Sequence, residues 1–510
     1  MIAFKNKYII FLSLFIGLFL SGCKDKWDDH NKIQDPMAAI NLLAQIKTNP
    51  DLSKFADLLN KTGYDKVVAS SKTFTIWAPT NTAITAMDQT VLSDTTKLKQ
   101  FVANHITNQS YLTSAPNPSL IIRTLNGKNI VFTKTTFEEA NILVANRFVG
   151  NGVLHTIDKA IVPKPNAWEY QTSAATSMQK TFLTSLSYSY IDTTLATQTG
   201  VDPKTGLPIL KPGTGVVNVN YFLQRAANIN NEDQKYTFVV LTDAAFTTEY
   251  TKISKYFIAN NPLNTTARNT FISDSLTKWN IVKDLAFVGD YSANLPDTLT
   301  SIDSTRVHLD KSAIVETHKV SNGVVYVMSR VDYKMANKIK PIIIQAENFT
   351  SSPSKPDPYW ATTYTLWASN YGSYGTRSTI TRRNPFTNVD FSEVYIYNTV
   401  KASYWFHYLP TLYSAAYNVY WVAVRDFNTT GTVAAPIVYF PQAVTFGSTT
   451  ILATLPYKQV DILNYNETLV GTYTSPAWGR MDAFLVGATT TVNGTNSIVC
   501  DYIKLVPVTN

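Results

Sequence analysis

The chain has 510 residues, with 44 Lys and Arg against 36 Asp and Glu, giving a formal net charge of +8. The positive excess is spread along the sequence without a long basic run, and only two cysteines occur, so the sequence indicates neither a nucleic-acid-binding stripe nor a disulfide framework. At roughly 100–200 residues per domain the length accommodates about three domains, each able to bury its own apolar core.

Residues 1–7 carry Lys5 and Lys7, residues 8–20 are almost wholly apolar, and Ser21 and Gly22 then lead into Cys23. That is the layout of a cleavable export signal, and the apolar run is shorter than the roughly 20 residues a spanning helix needs. The run Leu20-Ser21-Gly22-Cys23 resembles a bacterial lipobox. The resemblance implies removal of residues 1–22, lipidation of Cys23 on sulfur and acylation of its new amino group. Several acyl chains, at about 0.8 kcal/mol per buried methylene, would then hold the chain to a membrane. Residues 23–35 form a polar tether in which Asp25, Asp28 and Asp29 are similar to the export signals of surface lipoproteins of the Bacteroidetes. This implies an outer-membrane, lipid-anchored and surface-exposed location. A plain signal peptide followed by a solvated spacer is the alternative.

From Pro36 the apolar spacing turns helical, with Ile40, Leu43 and Ile46 and then Leu52, Phe55, Leu58 and Leu59 at three- and four-residue steps. Two helices are expected, the second ended by Gly63. Residues 73–78 alternate as a half-buried strand that Pro79 breaks, and Asn81 begins a turn or cap. A helix carrying Leu98, Phe101, Val102 and His105 follows. Strands at 121–124 and 130–132 flank the Asn126-Gly127 turn, and strands at 142–145 and 153–157 flank Asn151-Gly152. Helices early and antiparallel strands late define an α+β class.

The run Phe74-Thr75-Ile76-Trp77-Ala78-Pro79-Thr80-Asn81, the helix ending in Asn104-His105, the Leu125-Asn126-Gly127 turn and residues 151–158 (NGVLHTID) together resemble a fasciclin domain over residues 36–163. The resemblance implies an adhesion and matrix-interaction module without general catalytic activity. Animal members that bind integrins have Tyr-His where this chain has Asn104-His105, so an integrin-type contact is not implied. Neither His105 nor His155 has a carboxylate or second ligand at suitable spacing on its own element, and both read as structural histidines. No Gly-x-Ser-x-Gly nucleophile motif occurs in this region.

Residues 164–170 are a linker. Residues 178–195 are expected to form an opening helix, and 200–215 form a turn-rich insertion. Residues 236–246 then repeat the layout of 74–84, and 320–327 echo 150–157 with Asn322-Gly323 in register. The repeat implies a second, divergent fasciclin-like domain over 171–335, which has lost both the Pro of the first motif and the histidine after the Asn-Gly turn.

Residues 341–510 hold five of the nine tryptophans and sixteen of the 29 tyrosines. Alternation at 394–397 and 419–425, punctuated by Pro, Gly and Asn, indicates an all-β sandwich or jelly roll without helices. The stretches 342–349 and 501–507 resemble the first and last strands of jelly-roll carbohydrate-binding modules. An indole or phenol ring offers a platform for the C–H face of a sugar, while amide, carboxylate or guanidinium groups meet its hydroxyls. Trp360, Trp367, Tyr371, Tyr374 and Arg377, in the loop-like region 351–388 with Asn370, Arg382 and Arg383, are the glycan-binding candidates; local packing is the alternative for each. Trp421 and Tyr420 read as core or sheet-face residues, and Cys500 as a buried thiol. Glu347 sits where some members of that class ligate a structural calcium, although no second carboxylate is evident; no other cofactor is indicated.

The whole chain therefore reads as multidomain, with two α+β fasciclin-like domains followed by an all-β sandwich. The expected function is binding: a membrane-anchored surface adhesion lipoprotein that meets polysaccharide, cell-surface or matrix partners and is accessory to glycan uptake. A purely structural protein-interaction scaffold is the alternative. A glycan-active enzyme, which needs a facing carboxylate pair, fits less well with the sparse acids of 341–510.

Overall fold

The computed structural model describes residues 40–352, 377–396, 404–424, 441–447, 450–461, 463–487 and 498–509. The signal, lipobox and tether, together with Trp360, Trp367, Asn370, Tyr371 and Tyr374, lie outside the described residues. No helix among the described residues is long and apolar enough to cross a membrane. The chain divides into two compact units: residues 1–170 with 229–235 and 319–323, and residues 171–228, 236–318 and 324–510.

In the first unit the helix Leu42–Lys47 is capped by Asn41, whose side chain accepts from the Ala44 N–H. The helix Ser53–Thr62 buries Phe55, Ala56, Leu58 and Leu59 and stops at Gly63, which takes the left-handed conformation (φ 78°) open to a residue without a Cβ. The helix Thr95–Asn104 is capped by Asp94 and buries Leu98, Phe101 and Val102. These helices pack on a seven-stranded sheet whose order is Ile106–Thr107, Phe74–Pro79, Gly152–Ile157, Ala140–Val149, Thr136–Phe137, Asn129–Thr133 and Ser119–Arg123.

The strand Phe74–Pro79 departs from expectation, because all six of its residues are buried. It pairs antiparallel with Ile106–Thr107 on one side and parallel with Gly152–Ile157 on the other. Phe74, Ile76 and Ala78 join the helix-side core, while Trp77 joins a second core with Ile122, Phe132, Phe137 and Ile157 across the sheet. A strand covered on both faces needs no polar face, so Thr75 in its alternation is buried and does not mark solvent. The parallel pairing was likewise absent from the antiparallel reading of this region.

Segments 229–235 and 319–323 are fastened into the first unit by a buried ion pair. Lys128 Nζ lies 2.6 Å from Glu232 Oε1 and 2.5 Å from Glu169 Oε2. Asn166 Nδ2 and Ser321 Oγ donate to the same Glu232 oxygen at 3.1 and 3.0 Å. Charges taken out of water at this depth persist only with such partners.

The second unit opens with the helix Met178–Ser185. The expected helix to residue 195 ends ten residues early, and the chain instead enters an antiparallel ribbon of Ser187–Ile191 with Val216–Asn220, extended by Gln198–Val201 with Pro208–Leu210. Tyr188, Tyr190 and Ile191 are β-favouring residues, and although Leu186–Tyr190 and Ile191–Leu195 also fit helical spacing, the antiparallel pairing with Val216–Asn220 sets the ribbon. The strands Ala286–Val288, Tyr236–Leu241, Gly323–Met328 and Ile314–Val320 form a four-stranded sheet in that order, beside the helices Asp243–Ile253 and Thr266–Val282.

Beyond Lys338, every regular element among the described residues is a strand. Ile342–Gln345, Tyr502–Pro507, Ala416–Val422 and Thr468–Thr474 form one antiparallel sheet, and Trp405–Tyr408, Ala483–Gly487, Pro441–Gly447 and Ile451–Thr454 form another. Both contribute to one core: Val419, Trp421, Ile503 and Leu505 from the first sheet, Phe406, Val444, Phe446 and Leu485 from the second. Cys500 is free and buried in the same core, and burial raises its thiol well above the ordinary range. Part of the region expected as loop is strand: Arg377–Arg383 pairs antiparallel with Asp390–Ile396.

Candidate functional site

Asn151, at the corner before the strand Gly152–Ile157, is a buried polar hub. Its Oδ1 accepts from the Leu42 N–H at 2.8 Å, and its Nδ2 donates to the Val68 and Ser70 carbonyls at 2.7 and 2.9 Å. Asn322 repeats this: Oδ1 accepts from the Ala167 N–H at 2.9 Å, and Nδ2 donates to the Ile229 and Asn231 carbonyls at 2.8 and 3.0 Å. Thr75 Oγ1 donates to the Gln109 carbonyl and accepts from the Tyr111 N–H; Thr237 Oγ1 does the same with Gly289 and Tyr291. Thr80 and Thr242 each cap the helix that follows the strand. The internal repeat read from the sequence thus has a hydrogen-bond counterpart at three positions.

Both histidines of the first region are built into the fold. His105 is fully buried; Nδ1 lies 2.8 Å from the Phe101 carbonyl and Nε2 accepts from the Ile161 N–H at 3.2 Å. Those partners fix the neutral tautomer with the proton on Nδ1, and burial lowers the pKa to about 4 although the Phe101 carbonyl opposes it. His155 accepts from the Asn146 N–H at Nδ1 and faces the Tyr111 carbonyl at Nε2. It stacks on Trp77, which stacks in turn on Phe137 (centroids 5.4 and 4.5 Å apart). Burial lowers the His155 pKa as well. Asn104 is buried, donating from Nδ2 to the Ile161 carbonyl and accepting from Asn126 Nδ2. The Asn104-His105 pair therefore ties the end of the helix to residue 161 and presents no surface contact.

In the all-β region Arg377 begins the strand Arg377–Arg383. Arg382, grouped in the sequence with the glycan candidates, is committed elsewhere: its Nε lies 2.8 Å from Glu393 Oε1 and its guanidinium 5.4 Å from the Phe391 ring. The four aromatic candidates fall outside the described residues, so the geometry neither assembles nor separates them.

Glu347 does have a second carboxylate near it, contrary to the sequence reading. Asp501 is raised to about 6 by burial and then by the Glu347 charge, with Arg382 acting the other way. The two are 154 positions apart in sequence, on the opening and closing segments that Ile342–Gln345 and Tyr502–Pro507 pair together, so no local spacing could reveal them. Glu347 Oε2 is buried without a hydrogen-bond partner. Two carboxylates are short of the six to eight oxygens calcium takes, and among the described residues no group of three or more His, Cys, Asp and Glu side chains is placed to hold a metal. The described donors do not fit a calcium cage.

Residues 50–163 match the Fasciclin domain family, so the chain carries a fasciclin domain over the region of the seven-stranded sheet. Fasciclin domains are adhesion modules and are not catalytic. Among solved structures the chain is similar to the FAS1 domain pair of the insect cell adhesion molecule fasciclin I, with 14% identity and a TM-score of 0.23, over 57% of this chain and 100% of that one. It is similar to a family 35 carbohydrate binding module from Clostridium thermocellum, with 13% identity and a TM-score of 0.20, over 33% of this chain and 99% of that one. A third similarity is to Paenibacillus xanthan lyase, with 17% identity and a TM-score of 0.23, over 37% of this chain and 15% of that one. No curated protein matches.

Proposed function

We propose that this protein is a lipid-anchored surface adhesion protein, held to an outer membrane through Cys23, whose fasciclin pair carries a C-terminal β-sandwich of jelly-roll type toward polysaccharide or matrix partners. The domain limits in this reading are 23–35 for the tether, 36–163 and 171–335 for the fasciclin-like domains and 341–510 for the sandwich. The observation that carries it is the fasciclin domain over residues 50–163, whose buried histidines and asparagines all serve to hold its own backbone. A module built this way offers surfaces and not a reaction centre. The aromatic-rich last third supplies ring platforms of the kind sugars stack on, and accessory service to a glycan-uptake system is consistent with such display.

Two experiments test the reading. Retention of the full chain on polysaccharide affinity gels should weaken when Trp360→Ala and Trp367→Ala are combined, and absence of any retention by the unaltered chain overturns the glycan contact. Fatty-acid labelling of cells should mark the protein and be abolished by Cys23→Ala; labelling that survives the change removes the anchor. A scaffold for another protein is the second reading, and the ribbon favours it: Tyr188, Tyr190 and Ile191 each keep about half of their surface exposed. It predicts capture of a protein partner with no glycan retention.

A further inference from the structure

The loop from Ala259 to Asn264 is held by side chains of the helix that follows it, Ser273 Oγ accepting from the Ala259 N–H at 2.8 Å. Asn269, in the first turn of the helix Thr266–Val282, accepts at Oδ1 from the Asn261 N–H (3.2 Å) and Asn264 Nδ2 (3.1 Å), and donates from Nδ2 to the Asn261 carbonyl (3.0 Å). The all-β region of the same unit approaches this loop along two segments. Trp478 donates its backbone N–H to the Ile258 carbonyl at 2.7 Å, and Ser414 Oγ donates to the Lys255 carbonyl at 2.8 Å while accepting from the Ile258 N–H at 2.9 Å. Gly447 ends the strand Pro441–Gly447 at φ 103°, where a Cβ would lie 2.3 Å from the Thr450 carbonyl oxygen, so only glycine lets the chain turn back toward Leu452.

Between these elements lies a cleft of about 720 Å3, lined by Asn260, Asn264, Leu452, Trp478, Arg480 and Asp482 among others. This is within the roughly 300–1,000 Å3 of small-ligand sites. Trp478 is only partly covered and Asn260 is exposed, and both line this space together with Asn264, whose Nδ2 is held by Asn269. Arg480 and Asp482 bring opposite charges, and the Asp482 carboxylate lies 2.7 Å from His407 Nε2. The lining is thus formally neutral and rich in groups that both donate and accept, next to an indole face. Pro262 and Pro476 fix the backbone φ at two points of the walls.

We propose that this cleft is a binding site for a neutral saccharide, with the Trp478 indole stacking on a ring face and the Asn260 and Asn264 amides and the Arg480 guanidinium meeting hydroxyls. A ligand of net charge gains little from a balanced lining, and a purely apolar one would strip water from the amides without replacing its hydrogen bonds. The site deepens the glycan reading above and rests on it, but it uses none of the residues named there.

The test is calorimetric titration of the full chain with neutral oligosaccharides, and with uronate-containing ones as the contrast. Neutral ligands should bind, Trp478→Ala should weaken them about tenfold and Trp478→Phe by less than about threefold, while Asn260→Ala, an exposed position, should weaken them severalfold without changing the melting temperature. If Trp478→Ala and Asn260→Ala leave the affinity intact while Trp360→Ala with Trp367→Ala abolishes it, the cleft is overturned and the glycan reading stands. Binding of uronate-containing ligands alone also overturns it. If the unaltered chain binds no saccharide, both fall.

Discussion

Asn151 and Asn322 solve one problem twice. At the corner before an inner strand, one N–H and two carbonyls from distant segments converge in the interior, and an asparagine side chain satisfies all three. Each group left unsatisfied costs about 1–3 kcal/mol, so Asn151→Ala should lower stability by about 3 kcal/mol or more in urea unfolding, and Asn151→Asp should fail to restore it because it cannot donate. His105 makes a pH prediction. With its folded pKa near 4 and the unfolded value near 6.5, the unfolded state binds more protons between those limits, so stability falls as pH drops from about 6.5 to about 4. Its ring proton resonance in NMR should stay flat from pH 8 to pH 5; titration near 6.5 contradicts the burial. Asp501 acts oppositely, since its raised folded pKa makes its contribution present below about pH 4 and lost as pH rises through about 6.

At the scale of elements, glycines divide into two kinds. Gly152 sits at φ 150°, and a Cβ there would lie 1.9 Å from the Phe74 carbonyl oxygen, which is backbone and cannot yield. Gly63 at φ 78° has nothing within 4 Å. Gly63→Ala should therefore cost about 1 kcal/mol, whereas Gly152→Ala should break the parallel pairing and leave little folded protein; equal melting temperatures for the two variants would contradict this account. The ribbon makes the converse prediction. Both of its strand pairs are largely exposed, so replacing residues 192–215 with Asn-Gly should shift the melting temperature by only a few degrees.

These elements also show what the sequence could convey. The Gly63 stop, the Asn126-Gly127 turn and the paired Asn-Gly corners were legible, because turn chemistry is local and has few solutions. The ribbon was misread as helix because short apolar runs fit either period. Burial of Phe74–Pro79 on both faces was hidden because its two faces are covered by residues distant in sequence, helices such as Ser53–Thr62 on one side and Ile122, Phe132 and Phe137 on the other. The cleft wall at Trp478 and the Glu347–Asp501 pair escaped for the same reason: each joins residues far apart in the chain, and no window of sequence holds both halves.

For the whole molecule, the first unit reaches forward to collect residues 229–235 and 319–323, and the buried Lys128–Glu232 pair, with half-exposed Glu169 beside it, holds them there. The fasciclin domain is thus fastened to later parts of the chain by a network that one substitution would unbalance, and its buried His105, His155, Asn104 and Asn151 side chains are committed to that architecture. In the proposed reading, contact with other molecules is left to surface, and carbohydrate is met by the aromatic-rich all-β region and the cleft beside it. The most direct measurement is binding of the full chain to an array of polysaccharides and oligosaccharides. The account predicts retention of neutral glycans, lost in variants of the all-β region and unchanged by His105→Gln in the fasciclin domain once folding is verified. An array on which the folded chain retains no glycan would contradict it.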